Sequence, residues 1–448
     1  MITGFVLIKV EKGRVQEIAS RLGESEEVRE VFSVTGNYDL VAKVQVKEYE
    51  NMSDVVTDQL QRIDGLVSTK TVMAFKTYKF VDLSESVVPS VQTSLPRESS
   101  GLVEEGRTIV KSILSKLTQG IDLSNDEIFS FIEAIDRDLL TSAQIAGFLV
   151  ALLSKGPSVR EVAGIAKAMR YHCLPIDISI PTDRLTDTCG TGGGYSTFNV
   201  STANAILTAA AGVPVTKHGS RSISSSSGSA DVLESLGVNI DLASDNAVEL
   251  LKKEDICFLY APNFHPVMLK VFEPENQLGI KSIFFSIIGP LINPAGAKNH
   301  LMGVYKPELV PLVGDVVAQM DFRHVIVMHG LDGLDEISNV GKTAIAEVKE
   351  GRVKRYEITP EDFGIRRCRL EDIAGGTPEY NAQIIKEIFL GREKGPKRDL
   401  LVMNSAATLY VSGVVPSIKD GIDKANHLID SGKAMKKLEG LISSSKGL

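Results

Sequence analysis

The segment Asp187-Thr-Cys-Gly190-Thr191-Gly192-Gly193-Gly194-Tyr195-Ser-Thr-Phe-Asn199-Val-Ser201-Thr202 carries more potential chemistry than any other stretch of the chain. Consecutive glycines let a backbone approach an anion closely and turn its N–H groups inward. Asn199, Ser201 and Thr202 stand where the apolar run 203–211 must begin a helix. An amide, two hydroxyls and a helix N-terminus can therefore converge on one phosphate. This is not a P-loop, because the Gly-Lys-Ser/Thr ending is missing, nor is it a GxGxxG turn in a βαβ setting. A bare glycine run is more often only a turn, and it is the helix start behind it that points to an anion site.

A second loop, Lys217-His218-Gly219-Ser220-Arg221, continues into serines at 222 and 224–227. Two cations and a row of hydroxyls suit phosphate neutralisation. A flexible serine loop leading into a helix near Ala230 would read the same way. A third group, Asp332-Gly-Leu-Asp335-Glu336, sets two carboxylates side by side. That arrangement suits Mg²⁺, a hard cation held by one or two carboxylates plus substrate phosphates. Acids in the first turn of a helix fit it equally well. No convincing nucleophilic triad accompanies these loops.

The elements that must position these groups follow from periodicity. Within residues 1–80, strands are predicted at 2–10, 28–34, 40–46 and 67–75. Helices are predicted through Val15, Ile18, Ala19 and Leu22, and through Met52, Val55, Val56, Leu60 and Ile63. The order βαββαβ is the split, ferredoxin-like α+β pattern. This unit has 11 basic and 12 acidic residues, a poor balance for a DNA-binding arm. Residues 81–104, with two prolines and many serines, read as a linker. Residues 105–180 are helical throughout and form a small all-α domain. Residues 181–448 alternate strands and helices as a larger α/β domain, with strands at 323–328 and 352–358 and a helix at 399–411.

With 448 residues, 43% hydrophobic and 24% charged, the chain is globular, and its net charge of −8 argues against a general nucleic-acid binder. Four cysteines without a CxxC read as reduced thiols rather than a zinc site or a disulfide framework. The chain enters a strand at once, without a signal peptide, and no apolar run is long enough for a membrane span. A cytoplasmic protein is expected.

Ser33-Val-Thr-Gly36-Asn-Tyr38-Asp39-Leu, between the second and third strands, resembles the ligand-sensing domain of the Lrp/AsnC regulators. That resemblance implies pairing through sheets and a small effector, often an amino acid; the helix-turn-helix is missing here. Read without it, Gly36-Asn37 is a tight turn capped by Asp39. Over residues 105–445 the helical segment and the three loops resemble the anthranilate phosphoribosyltransferases. Gly289-Pro-Leu-Ile-Asn293-Pro and Asn404-Ser-Ala-Ala-Thr-Leu-Tyr410 belong to the same match. It implies a small α domain packed on an α/β domain, a homodimer or higher homo-oligomer, and an active site between the domains. The implied reaction transfers the phosphoribosyl group of phosphoribosyl pyrophosphate (PRPP) to the amine of anthranilate, in tryptophan biosynthesis, with Mg²⁺ as cofactor.

Carried over by position, Gly190, Thr191, Gly192, Gly193, Asn199, Ser201, Thr202, Lys217, Ser225 and Ser227 would hold PRPP. Ser201, Asp335 and Glu336 would hold Mg²⁺, and His218, Ser220, His265 and Glu275 would meet the acceptor. Five positions depart from the family pattern: Gly194 for Asp, Ser220 for Asn, Ser226 for Lys, Glu275 (or Asn276 if the loop shifts by one) for the Arg that engages the acceptor carboxylate, and Ser286 for Asn. A carboxylate at Glu275 facing another at about 4 Å would cost on the order of 4 kcal/mol at an effective dielectric of 20. A PRPP-dependent transferase or a phosphorylase acting on a different amine or nucleobase is therefore the alternative activity. A non-catalytic homologue that binds a metabolite or nucleic acid is the alternative from another class.

Overall fold

The computed structural model describes residues 2–11, 13–23, 25, 27–33, 38–46, 63–74, 97–174, 176–222, 226–280 and 282–448. The chain divides into two compact units, Met1–Ser94 and Leu95–Leu448.

The first unit is a four-stranded antiparallel sheet of β1 (Ile2–Val10), β2 (Val28–Ser33), β3 (Leu40–Val46) and β4 (Leu66–Ala74), ordered β2-β3-β1-β4. Leu40, Ala42, Val44 and Val46 alternate inward with Val6 and Ile8 and meet Ile18 and Leu22 of helix Val15–Leu22. That is the period-two face the sequence predicts. The Asp39 carboxylate accepts the Val10 N–H at 2.9 Å, joining the entry of β3 to the end of β1. The helix expected through Met52 and Leu60, and the turn at Gly36-Asn37, lie outside the described residues.

The second unit opens with helices Arg97–Leu117, Asn125–Asp136, Ser142–Lys155 and Val159–Tyr171. Residues 97–104, expected in the linker, are the first two turns of helix Arg97–Leu117. Propagation from the amphipathic segment behind them costs less than nucleation and carries the helix back through Gly101 despite its poor propensity. Ser124/Glu127, Thr141/Gln144 and Ser158/Glu161 are reciprocal capping boxes that start the other three helices. Their apolar faces (Ile113, Phe131, Phe148, Val162) share one core with Met302, Val313 and Val327 from the α/β part.

The second sheet has seven strands: β5 (Thr186–Asp187), β6 (Val215–Gly219), β7 (Ile256–Tyr260), β8 (Asn299–Gly303), β9 (His324–Gly330), β10 (Thr343–Lys349) and β11 (Arg352–Ile358). Their order is β11-β10-β9-β8-β5-β6-β7. Strands β7, β6, β5, β8 and β9 run parallel, and β10 and β11 close one edge antiparallel. Strands β6, β8 and β9 are buried along their whole length, as in a parallel sheet covered on both faces. Their carboxyl ends all deliver loops to one crevice, where such sheets bind ligands. The glycine loop follows β5, the Lys217 loop leaves β6, and the Asp335 loop follows β9.

Candidate active site

A cavity of about 500 Å³ opens at these strand ends. Gly192 and Gly193 turn the glycine loop at φ +62° and +90°, which favour glycine. The Thr191 N–H donates to the Gly303 carbonyl and the Tyr195 N–H to the Gly333 carbonyl, both at 2.9 Å. The loop is thereby sewn to β8 and to the acidic loop. Gly194 fits only because it has no side chain: a Cβ there would lie 2.5 Å from Asp335 Oδ1 and 2.8 Å from the Asp335 nitrogen.

Lys217 lines the cavity and is almost fully buried. Its Nζ lies 3.4 Å from Ser201 Oγ and 3.5 Å from Thr188 Oγ1, and burial lowers its pKa. An ammonium with two long hydroxyl contacts is short of counter-charge. Helix Val200–Ala209 points its N-terminus at the same loop. Its N-cap, Asn199, sits at φ +63° and makes no side-chain cap. Asn199 Nδ2 donates to the Ser227 carbonyl, and its Oδ1 accepts from Ser227 Oγ and Asn381 Nδ2.

Asp335 and Glu336 line the cavity in a turn closed by the Gly330–Leu334 bridge, so they are not first-turn helix acids. Glu336 Oε1 accepts from Thr197 Oγ1 at 2.8 Å, and its buried Oε2 has no hydrogen-bond partner among the described residues. Burial raises both carboxyl pKa values, and the charge of Asp335 raises that of Glu336 further. Two desolvated carboxyl groups with an orphaned oxygen fit a divalent cation. Asn404 holds the following residue in place, accepting the Ile337 N–H at 2.9 Å and donating to its carbonyl at 3.0 Å.

The other end of the cavity is apolar, walled by Tyr260, Pro262, Met268, Leu269, Phe284 and Pro290. His218 and His265 meet there edge to face with ring centroids 5.0 Å apart. Burial pushes His265 down to about 4 and His218 well below its ordinary value, against the pull of the Gly289 carbonyl. Both rings are neutral at physiological pH. None of their four nitrogens makes a well-formed hydrogen bond among the described residues.

The expected site residues divide accordingly. Gly190, Thr191, Gly192, Gly193, Asn199, Ser201, Lys217, His218, Ser220, Ser227, His265, Asp335 and Glu336 line one cavity, and Gly194 and Ser286 join them. Ser225 lies outside the described residues. Thr202 is buried in the first helical turn and is not part of the wall, because its side chain falls on the inner face of the helix. Glu275, expected to face the acceptor, is also absent from the wall. It is buried on helix Pro266–Leu278 and accepts the Ser282 N–H at 2.5 Å, so the carboxylate fastens the turn behind the helix. No contact joins Ser201 to the carboxylate pair among the described residues. Ser286 lies in a π-helical turn, Phe284–Ile288, and its Oγ donates to the Ser282 carbonyl. Thr197 and Asn381 were not anticipated. Thr197 lies inside the glycine-loop motif, whereas nothing in the local sequence marks Asn381.

Residues 182–435 match the model of the glycosyl transferase family a/b domain, residues 111–173 its helical bundle domain, and residues 3–82 the Lrp/AsnC ligand binding domain. The anthranilate phosphoribosyltransferase of Acetivibrio thermocellus is 48% identical over 335 residues, covering 75% of this chain and 96% of that protein. The chain belongs to the anthranilate phosphoribosyltransferase family. A family member from Methanosarcina acetivorans is 47% identical over 73% of this chain and 88% of its own length. Among solved structures, the Thermus thermophilus family member superposes with a TM-score of 0.70 at 35% identity, covering 75% of this chain and 99% of its own. The Saccharomyces cerevisiae family member in complex with PRPP and Mg does so with a TM-score of 0.70 at 29% identity, covering 77% and 100%. The glycosyl transferase fold is thus shared along the length of these relatives, and the Lrp/AsnC match falls in the first compact unit.

Proposed function

We propose that this cavity transfers the 5-phosphoribosyl group of PRPP to the amine of anthranilate, the activity carried in the names of its relatives. The observation that carries the reading is polarity within one cavity: a buried ammonium, a helix N-terminus and two carboxyls at one end, neutral histidines and apolar walls at the other. The C1–O bond to pyrophosphate breaks, the C1–N bond forms, and the amine gives up a proton. Lys217, the glycine-loop N–H groups and the helix N-terminus oppose the charge that develops on the leaving pyrophosphate. Asp335 and Glu336 would hold Mg²⁺, which supplies further charge neutralisation when bound. A neutral imidazole nitrogen of His218 or His265 can accept a hydrogen bond from the amine, and the apolar wall keeps water from competing for C1.

A second reading, a different amine as acceptor, is favoured by the acceptor end. The position where the family pattern has a cation is Glu275 in this sequence, and that residue does not line the cavity. Arg221, the other cation in the described wall besides Lys217, is paired with Glu234 and Asp231. The matching Lrp/AsnC domain supports an amino-acid effector at residues 1–80, and the family supports a homodimer in the cytoplasm. Calorimetry with PRPP and Mg²⁺, followed by loss of anthranilate fluorescence, tests the proposal. Binding with consumption is expected, binding without consumption selects the second reading, and absence of PRPP binding overturns both.

A further inference from the structure

Three segments distant in sequence converge behind the anion end of the cavity: the end of the glycine loop, the serine loop, and the turn at Gly375-Gly376. The Gly375 N–H donates to the Ser196 carbonyl at 3.1 Å. A Cβ on Gly375 would stand 2.2 Å from the Thr197 carbonyl oxygen, so turn and loop touch backbone to backbone. From the serine loop, Ser226 Oγ donates to the Gly376 carbonyl at 3.0 Å.

Asn381 joins all three. It sits in the first turn of helix Pro378–Phe389 and is completely buried, yet it does not line the cavity. Its Oδ1 accepts the Gly376 N–H at 2.8 Å. Its Nδ2 donates to Asn199 Oδ1 at 2.8 Å and to the Gly376 carbonyl at 3.3 Å. The donation to Asn199 fixes which way that amide points. Asn199 Nδ2 must then face the Ser227 carbonyl, which it meets at 2.9 Å, while its Oδ1 takes the Ser227 hydroxyl at 2.8 Å. Asn199 is also held at φ +63°, a conformation that a non-glycine residue keeps only when its surroundings determine it.

We propose that Asn381 is a positioning residue for the anion site: through Asn199 and the Gly376 turn, it sets the glycine loop and the Ser226-Ser227 end of the serine loop in their ligand-ready register. The proposal rests on the reading of this end as the pyrophosphate site and predicts an effect confined to it. Asn381 does not touch the histidine end, so acceptor affinity stays as it is; its route to the carboxylate pair runs through the Gly375 turn to Thr197, which donates to Glu336.

The test uses the full chain with Mg²⁺ and two probes, PRPP and inorganic pyrophosphate, in calorimetry beside steady-state kinetics. Asn381→Asp keeps the shape but replaces the Nδ2 donor with an acceptor facing Asn199 Oδ1, and Asn381→Leu removes both functions. Supporting groups of this kind change affinity by about 10–100-fold. Both probes are expected to weaken by that factor in both variants, with the anthranilate KM unchanged. Unchanged probe affinity in the Asp variant overturns the proposal, and so does an equal loss at PRPP and anthranilate. Should Asn381→Leu fail to fold, the Asp variant decides alone. If the wild-type chain binds neither probe, the functional reading itself falls, a result distinct from a wild type that binds and variants that bind equally well.

Discussion

The two ends of the cavity are built differently. At the anion end the backbone does most of the work: glycines at positive φ, N–H groups donated across the glycine, β8 and acidic loops, and an asparagine pair locked to neighbouring carbonyls. At the acceptor end the wall consists of side chains, and the two histidines leave their ring nitrogens without well-formed hydrogen bonds. A backbone cradle depends on where the chain can turn, so its glycines are fixed by conformation and close approach while its donors belong to every residue type except proline. A side-chain wall depends on the residue types themselves. Of the departures from the family pattern, Ser286 lines the acceptor side, where one substitution can redefine what binds, whereas Glu275 lies outside the wall.

Breaking the anion end should cost most. Asp335→Asn is expected to lower Mg²⁺-dependent turnover by about 10³-fold, the scale of a lost transition-state stabiliser, measured as the rate of anthranilate consumption. Lys217→Met removes a buried charge-assisted partner of the phosphates. It should weaken PRPP binding by about 100-fold in calorimetry, corresponding to about 2.7 kcal/mol. If Lys217→Met weakens anthranilate and PRPP equally, the division into two ends fails.

The acid pair also predicts a coupling between pH and metal. Raised carboxyl pKa values mean that the folded, metal-free state binds protons more tightly than the unfolded chain. The associated stability is present at pH below the ordinary carboxylate range and is lost as pH rises through the raised values. Added Mg²⁺ should therefore stabilise the fold more at neutral than at acidic pH, by about 2.7 kcal/mol at about 100 times its Kd, read as a rise in melting temperature. A pH-independent metal effect would remove the pair as the binding site.

Smaller effects sharpen the acceptor end. His265→Phe keeps the apolar volume and removes a hydrogen-bonding nitrogen, so the acceptor KM should rise about fivefold with PRPP affinity unchanged. Glu275→Gln should change the acceptor KM by less than about twofold, because the retained amide oxygen can still accept the Ser282 N–H outside the wall. A large gain in anthranilate affinity from Glu275→Gln would instead place that carboxylate against the substrate.

Much of this was legible in the residues. The capping boxes, the alternation of Leu40, Ala42, Val44 and Val46, and the glycine loop ahead of a helix are local signals, and the structure follows them. Glu275 misled because position in a motif gives no side-chain direction: its carboxylate bonds seven residues ahead, to the Ser282 N–H. Thr202 misled for a related reason, since the adjacent Ser201 and Thr202 point about 100° apart on a helix with 3.6 residues per turn and cannot both face the cavity. Asn381 was invisible because its partner, Asn199, is 182 residues away, and no local period encodes such a contact.

Gly194 has a consequence for how this sequence can change. The atoms that a Cβ would strike belong to Asp335, one of the two carboxylates of the acid pair. A side chain at 194 cannot be accommodated by a neighbour's rotamer change alone, since the Asp335 nitrogen is backbone. A substitution that adds a side chain at 194 must move the Asp335 turn with it, whereas loss of one needs no such movement, so the constraint acts in one direction only.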